Sequence, residues 1–108
     1  MRITFTARHF KAPDNVKEFA ERKVRKIKKY YDGIIDCDIL LKHEKLTHVA
    51  DISVKVYGQF LRVVEESDDI FKSIDTAVDK LERQVKRYKE KLREHSHEKT
   101  KPSALFDV

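Results

Sequence analysis

Residues 34–67 read IIDCDILLKHEKLTHVADISVKVYGQFLRVVEES. Three runs within this stretch alternate apolar and polar residues, the period-two pattern of half-buried strands. In 34–42, Ile35, Cys37, Ile39 and Leu41 fall on one face. In 48–56, Ala50, Ile52, Val54 and Val56 do the same. In 60–67, Leu61 and Val63 take one side, with Phe60, Arg62 and Val64 on the other. The segment YGQF, residues 57–60, is short enough for a hairpin turn. HEKLT, residues 43–47, makes the other connection.

The flanks change period. Residues 2–8, RITFTAR, form one more short strand with Ile3 and Phe5 on a face. Pro13 then breaks the pattern, and Asp14 is placed to cap a helix. Over 14–31, Val16, Phe19, Ala20, Val24, Ile27 and Tyr31 recur at helical spacing. Asp32-Gly33 ends that helix, with Gly33 expected to supply a left-handed cap. Asp68 or Asp69 caps a second helix over 70–94. Its stripe is Ile70, Ile74, Val78, Leu81, Val85, Tyr88 and Leu92, flanked by Phe71 and Ala77. Such a helix is nearly 40 Å long at about 1.5 Å per residue, so its C-terminal end is expected to overhang the sheet. The order is β-α-β-β-β-α, an α+β class. Both helices are expected side by side on one face of a four-stranded sheet. Residues 1–95 make one domain. Residues 96–108 are polar with little to bury and read as a flexible tail.

Charge is spread unevenly along this order. Residues 14–33 hold seven Lys/Arg against four Asp/Glu, and residues 79–95 again seven against four. The stretch between them, 34–78, holds five against nine. The net charge of +5 is therefore concentrated on the helices. Side chains at i, i+3, i+4 and i+7 share a helix face. Arg22, Arg25, Lys26 and Lys29 have that spacing, with Lys23 and Lys28 beside them. Lys80, Arg83, Arg87 and Lys91 have it too, with Lys86 beside them. Two cationic rows on adjacent helices would form a band suited to a phosphate backbone. Glu18, Glu21, Glu82 and Glu90 dilute it, and a merely solvated helix face has similar spacing. Other readings are a plain dsRNA- or tRNA-binding module, a docking face for an acidic protein, and a membrane-surface helix. The last is weak because the core needs the apolar stripes. Tyr30, Tyr31, Tyr57 and Phe60 are candidates for base stacking, or for packing.

Other chemistries find little support. No run reaches the roughly 18–20 apolar residues that span a bilayer, and no signal-peptide core is evident. The single cysteine, Cys37, reads as a small buried hydrophobe in a reducing compartment. Gly33 and Gly58 are too far apart for a phosphate loop. His9, His43, His48, His95 and His97 are scattered, and His95-x-His97 lacks a third metal ligand. Asp36 and Asp38 alternate on a strand face with no base beside them. An enzyme, a metal and a cofactor are not expected. Leu105 and Phe106 read as apolar residues in the tail, with a docking motif as the alternative.

Four segments carry a family resemblance: ITFTARHF at the start, VKEFAERKVRKIKKYYD in the first helix, LLKHEKLTHVADISV in the centre, and DDIFKSIDTAVDKLERQVKRYKEKL in the second helix. Through these the chain resembles the bacterial ribosome hibernation factors, the short hibernation-promoting factor and the ribosome-associated inhibitor called protein Y. The resemblance covers residues 1 to about 95. It implies a fold like that of double-stranded-RNA-binding domains. It implies a cytoplasmic protein that partners the small ribosomal subunit, between head and body. There the basic helices would contact rRNA through Arg22, Arg25, Lys26, Lys29, Lys80, Arg83, Lys86 and Arg87, with Lys91 continuing the row. Occlusion of tRNA and mRNA in idle ribosomes would follow, in stationary phase or starvation, with no chemistry. Neither a membrane nor a small-molecule substrate is implied, and the protein is expected to be monomeric off the ribosome. The family's long form adds a C-terminal dimerising domain that this sequence is too short to hold. Its tail is not the strongly acidic one of some inhibitor-type members, so the effect on ribosome pairing is left open.

Overall fold

A computed structural model describes residues 1–97, with side chains described as far as Arg93. The alternating runs pair into one sheet. Its strands are β1 (Arg2–Arg8), β2 (Asp36–Glu44), β3 (Thr47–Val56) and β4 (Gln59–Ser67), in the order β1-β2-β3-β4. β2, β3 and β4 form an antiparallel meander, and β1 lies parallel to β2 at the edge, Phe5 opposite Ile39. A parallel neighbour needs a crossover, and α1 (Asp14–Ile27) supplies it. The second helix, α2 (Ile70–His97), follows β4.

The hairpins are tighter than the sequence suggested. His43, Glu44 and Thr47 belong to the β2–β3 ladder, which leaves Lys45 and Leu46 as the turn. Lys45 takes a left-handed φ of 56° there. In the β3–β4 turn Val56 faces Gln59, and Gly58 adopts φ 86° without the steric cost a Cβ would bring.

Both helices cover one face. Cys37, Ile39, Leu41, Ala50, Ile52, Val54, Val56 and Val63 are buried beneath Val16, Ala20, Val24 and Ile27 of α1 and Ile74, Ala77, Leu81 and Val85 of α2. Ile35, expected on that apolar face, precedes β2 and is 48% exposed, while its neighbour Ile34 enters the core. Tyr88 is the last buried member of the α2 stripe. Leu92, expected in the core, is 37% exposed because the helix has run past the sheet there. Phe71 is about one-third exposed and meets Phe19 edge-on at 5.1 Å.

The helix ends differ from expectation in detail. α1 begins after Pro13, whose carbonyl accepts from the Val16 and Lys17 N–H groups. Asp14 is therefore inside the first turn and makes no side-chain cap; its charge still suits the positive end of the helix. The helix stops at Ile27, four residues early. Lys28, Lys29 and Tyr30 donate to carbonyls three residues back, the tightened turn that closes many helices. Tyr31 then swings its ring against Tyr88, 5.6 Å between centroids. Gly33 is not the left-handed cap. It sits under the Tyr31 ring, where a Cβ would collide. Asp69 does cap α2, accepting from the Phe71 N–H at 2.9 Å. The buried Ser73 Oγ donates to the His48 carbonyl and is shared with Ser67 Oγ, which ties this end of α2 to the sheet. The tail from residue 98 onward, Leu105 and Phe106 included, lies outside the described residues.

Candidate nucleic-acid interface

The two helices run parallel. Phe19 meets Phe71, Lys23 pairs with Asp75 at 2.9 Å, and Tyr30 meets Lys86, whose Nζ lies 4.3 Å from the ring centroid. Partners advance in step along both helices, so both C-terminal ends, where cations complement the helix dipole, point the same way.

All nine expected contact residues are exposed: Arg22, Arg25, Lys26, Lys29, Lys80, Arg83, Lys86, Arg87 and Lys91. Lys29 lies just past the end of α1, in the closing turn. They do not form one unbroken band. Between the rows runs a seam of carboxylates on the α1-facing side of α2. Asp75 takes Lys23, and Glu82 lies against Tyr30, where its hydrogen bonding and charge hold the phenol above its ordinary pKa. Lys86 crosses this seam onto Tyr30. Arg25 leans back to Glu21, N to O 3.6 Å. Among the described residues Arg22, Lys26, Lys29, Arg83 and Arg87 have no carboxylate partner. These are the cations most available to an external anion.

The other flank of α2 leans on the free edge of β4. There Lys80 Nζ meets Glu65 Oε2 at 2.7 Å, and Gln84 Nε2 approaches the Arg62 carbonyl at 3.5 Å. Arg87 and Lys91, further along this flank, line a cavity of about 190 Å³ with Gln59, Leu61, Gln84 and Tyr88. Sequence reasoning grouped Arg87 and Lys91 with Lys80 but missed Gln84. Its spacing of four from Lys80 and three from Arg87 could have found it; its neutral charge hid it. Gln59 is brought in by the hairpin alone.

Of the four aromatic candidates, Tyr31 packs against Tyr88 and Tyr30 carries Lys86, whereas Tyr57 and Phe60 stand largely free, 86% and 66% exposed. At the opposite end of the sheet the His43 and His48 rings stack at 4.1 Å, with Phe10 edge-on to both. No group of histidine, cysteine or carboxylate side chains among the described residues could hold a metal ion. Cys37 is buried beneath the helices, and burial, with Asp38 nearby, pushes its thiol up to about 12. No helix among the described residues is long and apolar enough to cross a membrane.

Comparison with known proteins meets this geometry. Residues 3–93 match the family described as Sigma 54 modulation protein / S30EA ribosomal protein. Ribosome hibernation promoting factors of Salmonella typhimurium and Escherichia coli are each 33% identical over 95 residues, covering 88% of this chain and 100% of theirs. Two solved structures share the fold. One is a ribosomal subunit interface protein from Coxiella burnetii (TM-score 0.77, 31% identity, 82% of this chain and 98% of that one). The other is the N-terminal domain of Thermus thermophilus Protein Y (TM-score 0.76, 34% identity, 82% and 99%).

Proposed function

The chain belongs to the Sigma 54 modulation protein / S30EA ribosomal protein family, and from that premise we propose that it is a ribosome hibernation factor. It binds the small ribosomal subunit through the cations of its two parallel helices and occupies the channel where tRNA and mRNA would lie. The observation that carries the reading is the set of exposed cations without carboxylate partners on both helices, in a chain whose relatives are named for ribosome hibernation. Arg22, Lys26, Lys29, Arg83 and Arg87 neutralise rRNA phosphates and release condensed counterions. Arg25, Lys80, Lys86 and Lys91 contribute at the edges of the same surface.

The inter-helix carboxylates make this surface selective. They repel a phosphate chain laid along the seam and leave the two rows to grip phosphates that lie apart, as on a folded RNA. Inhibition is steric. Bound protein and tRNA exclude one another, and no bond is made or broken. The protein acts in the cytoplasm, as a monomer when off the ribosome.

Sedimentation with vacant ribosomes across a salt series, with tRNA as competitor, tests this. The expected result is co-sedimentation with the small subunit that weakens steeply with salt and is reversed by excess tRNA. Absence of co-sedimentation at low salt overturns it.

A further inference from the structure

Tyr57 and Phe60 remain exposed at the β3–β4 hairpin although the fold has no need of aromatics there. Phe19, Tyr31 and Phe10 each find an aromatic or histidine neighbour; these two are left in water. A single exposed apolar residue, such as Leu46 at the other hairpin, is ordinary; two aromatics exposed together on one hairpin make a candidate contact surface.

Their surroundings are specific. Phe60 lies on the sheet face turned away from the helices, opposite Lys55, whose Nζ is 5.9 Å from its ring centroid. Its chain neighbours Gln59 and Leu61 line the cavity that also holds Gln84, Arg87, Tyr88 and Lys91. Among the described residues no carboxylate lines that cavity, in contrast to the seam between the helices. The backbone of the tip is also tied down. The Tyr88 hydroxyl donates to the Tyr57 carbonyl at 3.0 Å, and Gly58 closes a two-residue turn. A pre-set platform loses little conformational entropy on binding. Phe60 carries Lys55 on its own face of the sheet, while Arg87 and Lys91 lie across the β4 edge on the helix side; a strand wrapping that edge would stack its bases on the rings and set its phosphates on those cations.

We propose that the hairpin Tyr57–Phe60 is a stacking platform for unpaired RNA bases, with Arg87 and Lys91 holding the adjoining phosphates. This deepens the rRNA-binding reading and rests on it. The helices grip folded RNA by its backbone, while the hairpin takes nucleotides that have left the helix.

The test uses the full chain and a labelled, unstructured oligouridylate, with an RNA duplex of equal length for comparison, followed by fluorescence anisotropy across a salt series. Tyr57→Ser and Phe60→Ser are each expected to weaken single-strand binding roughly five- to a hundredfold, the range for loss of one stacked base. The salt slope should stay unchanged, and Phe60→Trp should restore affinity. Arg87→Gln should instead flatten the slope by about the share of one phosphate. Failure of the wild-type chain to bind the single strand overturns the proposal and leaves the patch to a protein partner. Serine variants that bind as well as wild type also overturn it, as does serine-induced loss that comes with altered circular dichroism and is not restored by Phe60→Trp. Ribosome sedimentation of the same proteins separates the two claims. Co-sedimentation of wild type with unaltered oligouridylate binding by the serine variants removes the platform alone. Absence of co-sedimentation removes the ribosome reading itself.

Discussion

Lys80 reaches back from α2 to Glu65 on β4, Nζ to Oε2 2.7 Å, so a cation that helical spacing places with Arg87 is already engaged with the sheet. Lys80→Gln is therefore expected to weaken ribosome binding less than Arg87→Gln, by several-fold in sedimentation titrations. The combined Lys80, Arg83 and Arg87 to Glu variant should abolish binding. Its far-UV circular dichroism should remain that of a folded chain, with a lowered melting temperature, because exposed charges contribute on the order of 0–1 kcal/mol each and Lys80→Glu sets a carboxylate against Glu65. A triple variant that still sediments with ribosomes contradicts the helix-face assignment.

Leu81 and Leu92 lie in one apolar stripe but have opposite surroundings. Leu81 is fully buried and Leu92 is 37% exposed. Leu81→Ala should cost about 2–4 kcal/mol through the cavity it leaves. Leu92→Ala should cost less than about 1 kcal/mol. Urea unfolding midpoints at constant slope measure both.

Cys37 should be inert in the folded protein. Its thiol is pushed up to about 12 by burial, and the neutral thiol is a poor nucleophile. A disulfide reagent at pH 8 should modify it only as fast as the chain unfolds. The linkage has a definite sign. With the folded pKa raised, stability is fully present below the ordinary thiol value of 9.0 and declines as pH rises from there toward 12, since the unfolded state deprotonates first. Over that window wild type should lose stability more steeply than Cys37→Ala, by up to about 1.4 kcal/mol per pH unit. Parallel curves would show that the thiol is not desolvated.

Gly33→Ala should destabilise by about 1–2 kcal/mol, because the new methyl meets the Tyr31 ring, itself held against Tyr88. In a Tyr31→Ala background the same change should cost much less. A double-mutant cycle on thermal unfolding reads the coupling. Additive costs would show that Gly33 has room.

The strands were legible because each buries one face and therefore must alternate. Ile39 and Leu41 in β2, and Ile52 and Val54 in β3, announce both the element and the side that packs. The end of α1 was not legible in the same way. Tyr31 continues the helical period after Ile27, and a ring that folds across to Tyr88 leaves the same spacing as one that stays in the helix. The pairing of β1 with β2 left no local trace, since a parallel neighbour is chosen by the crossover as a whole. The nine cations were all found exposed as expected. What spacing did not reveal is that Lys80 has a partner on a strand and that Lys23 has one on the other helix. Asp75 and Glu82 are seven positions apart and so share a face of α2, and from the sequence the seam could have been drawn before the sheet was known.

The parallel edge position of β1 has a consequence for the birth of the molecule. β1 is synthesised before its one neighbour in the sheet, β2, whose strand begins only at Asp36. β2, β3 and β4 can zip as successive hairpins from sequence neighbours, whereas β1 must close a long chain segment, α1 included, before its ladder returns anything. The nascent chain thus holds an unpaired alternating strand, Ile3 and Phe5 included, until β2 has been made and α1 has crossed over to it.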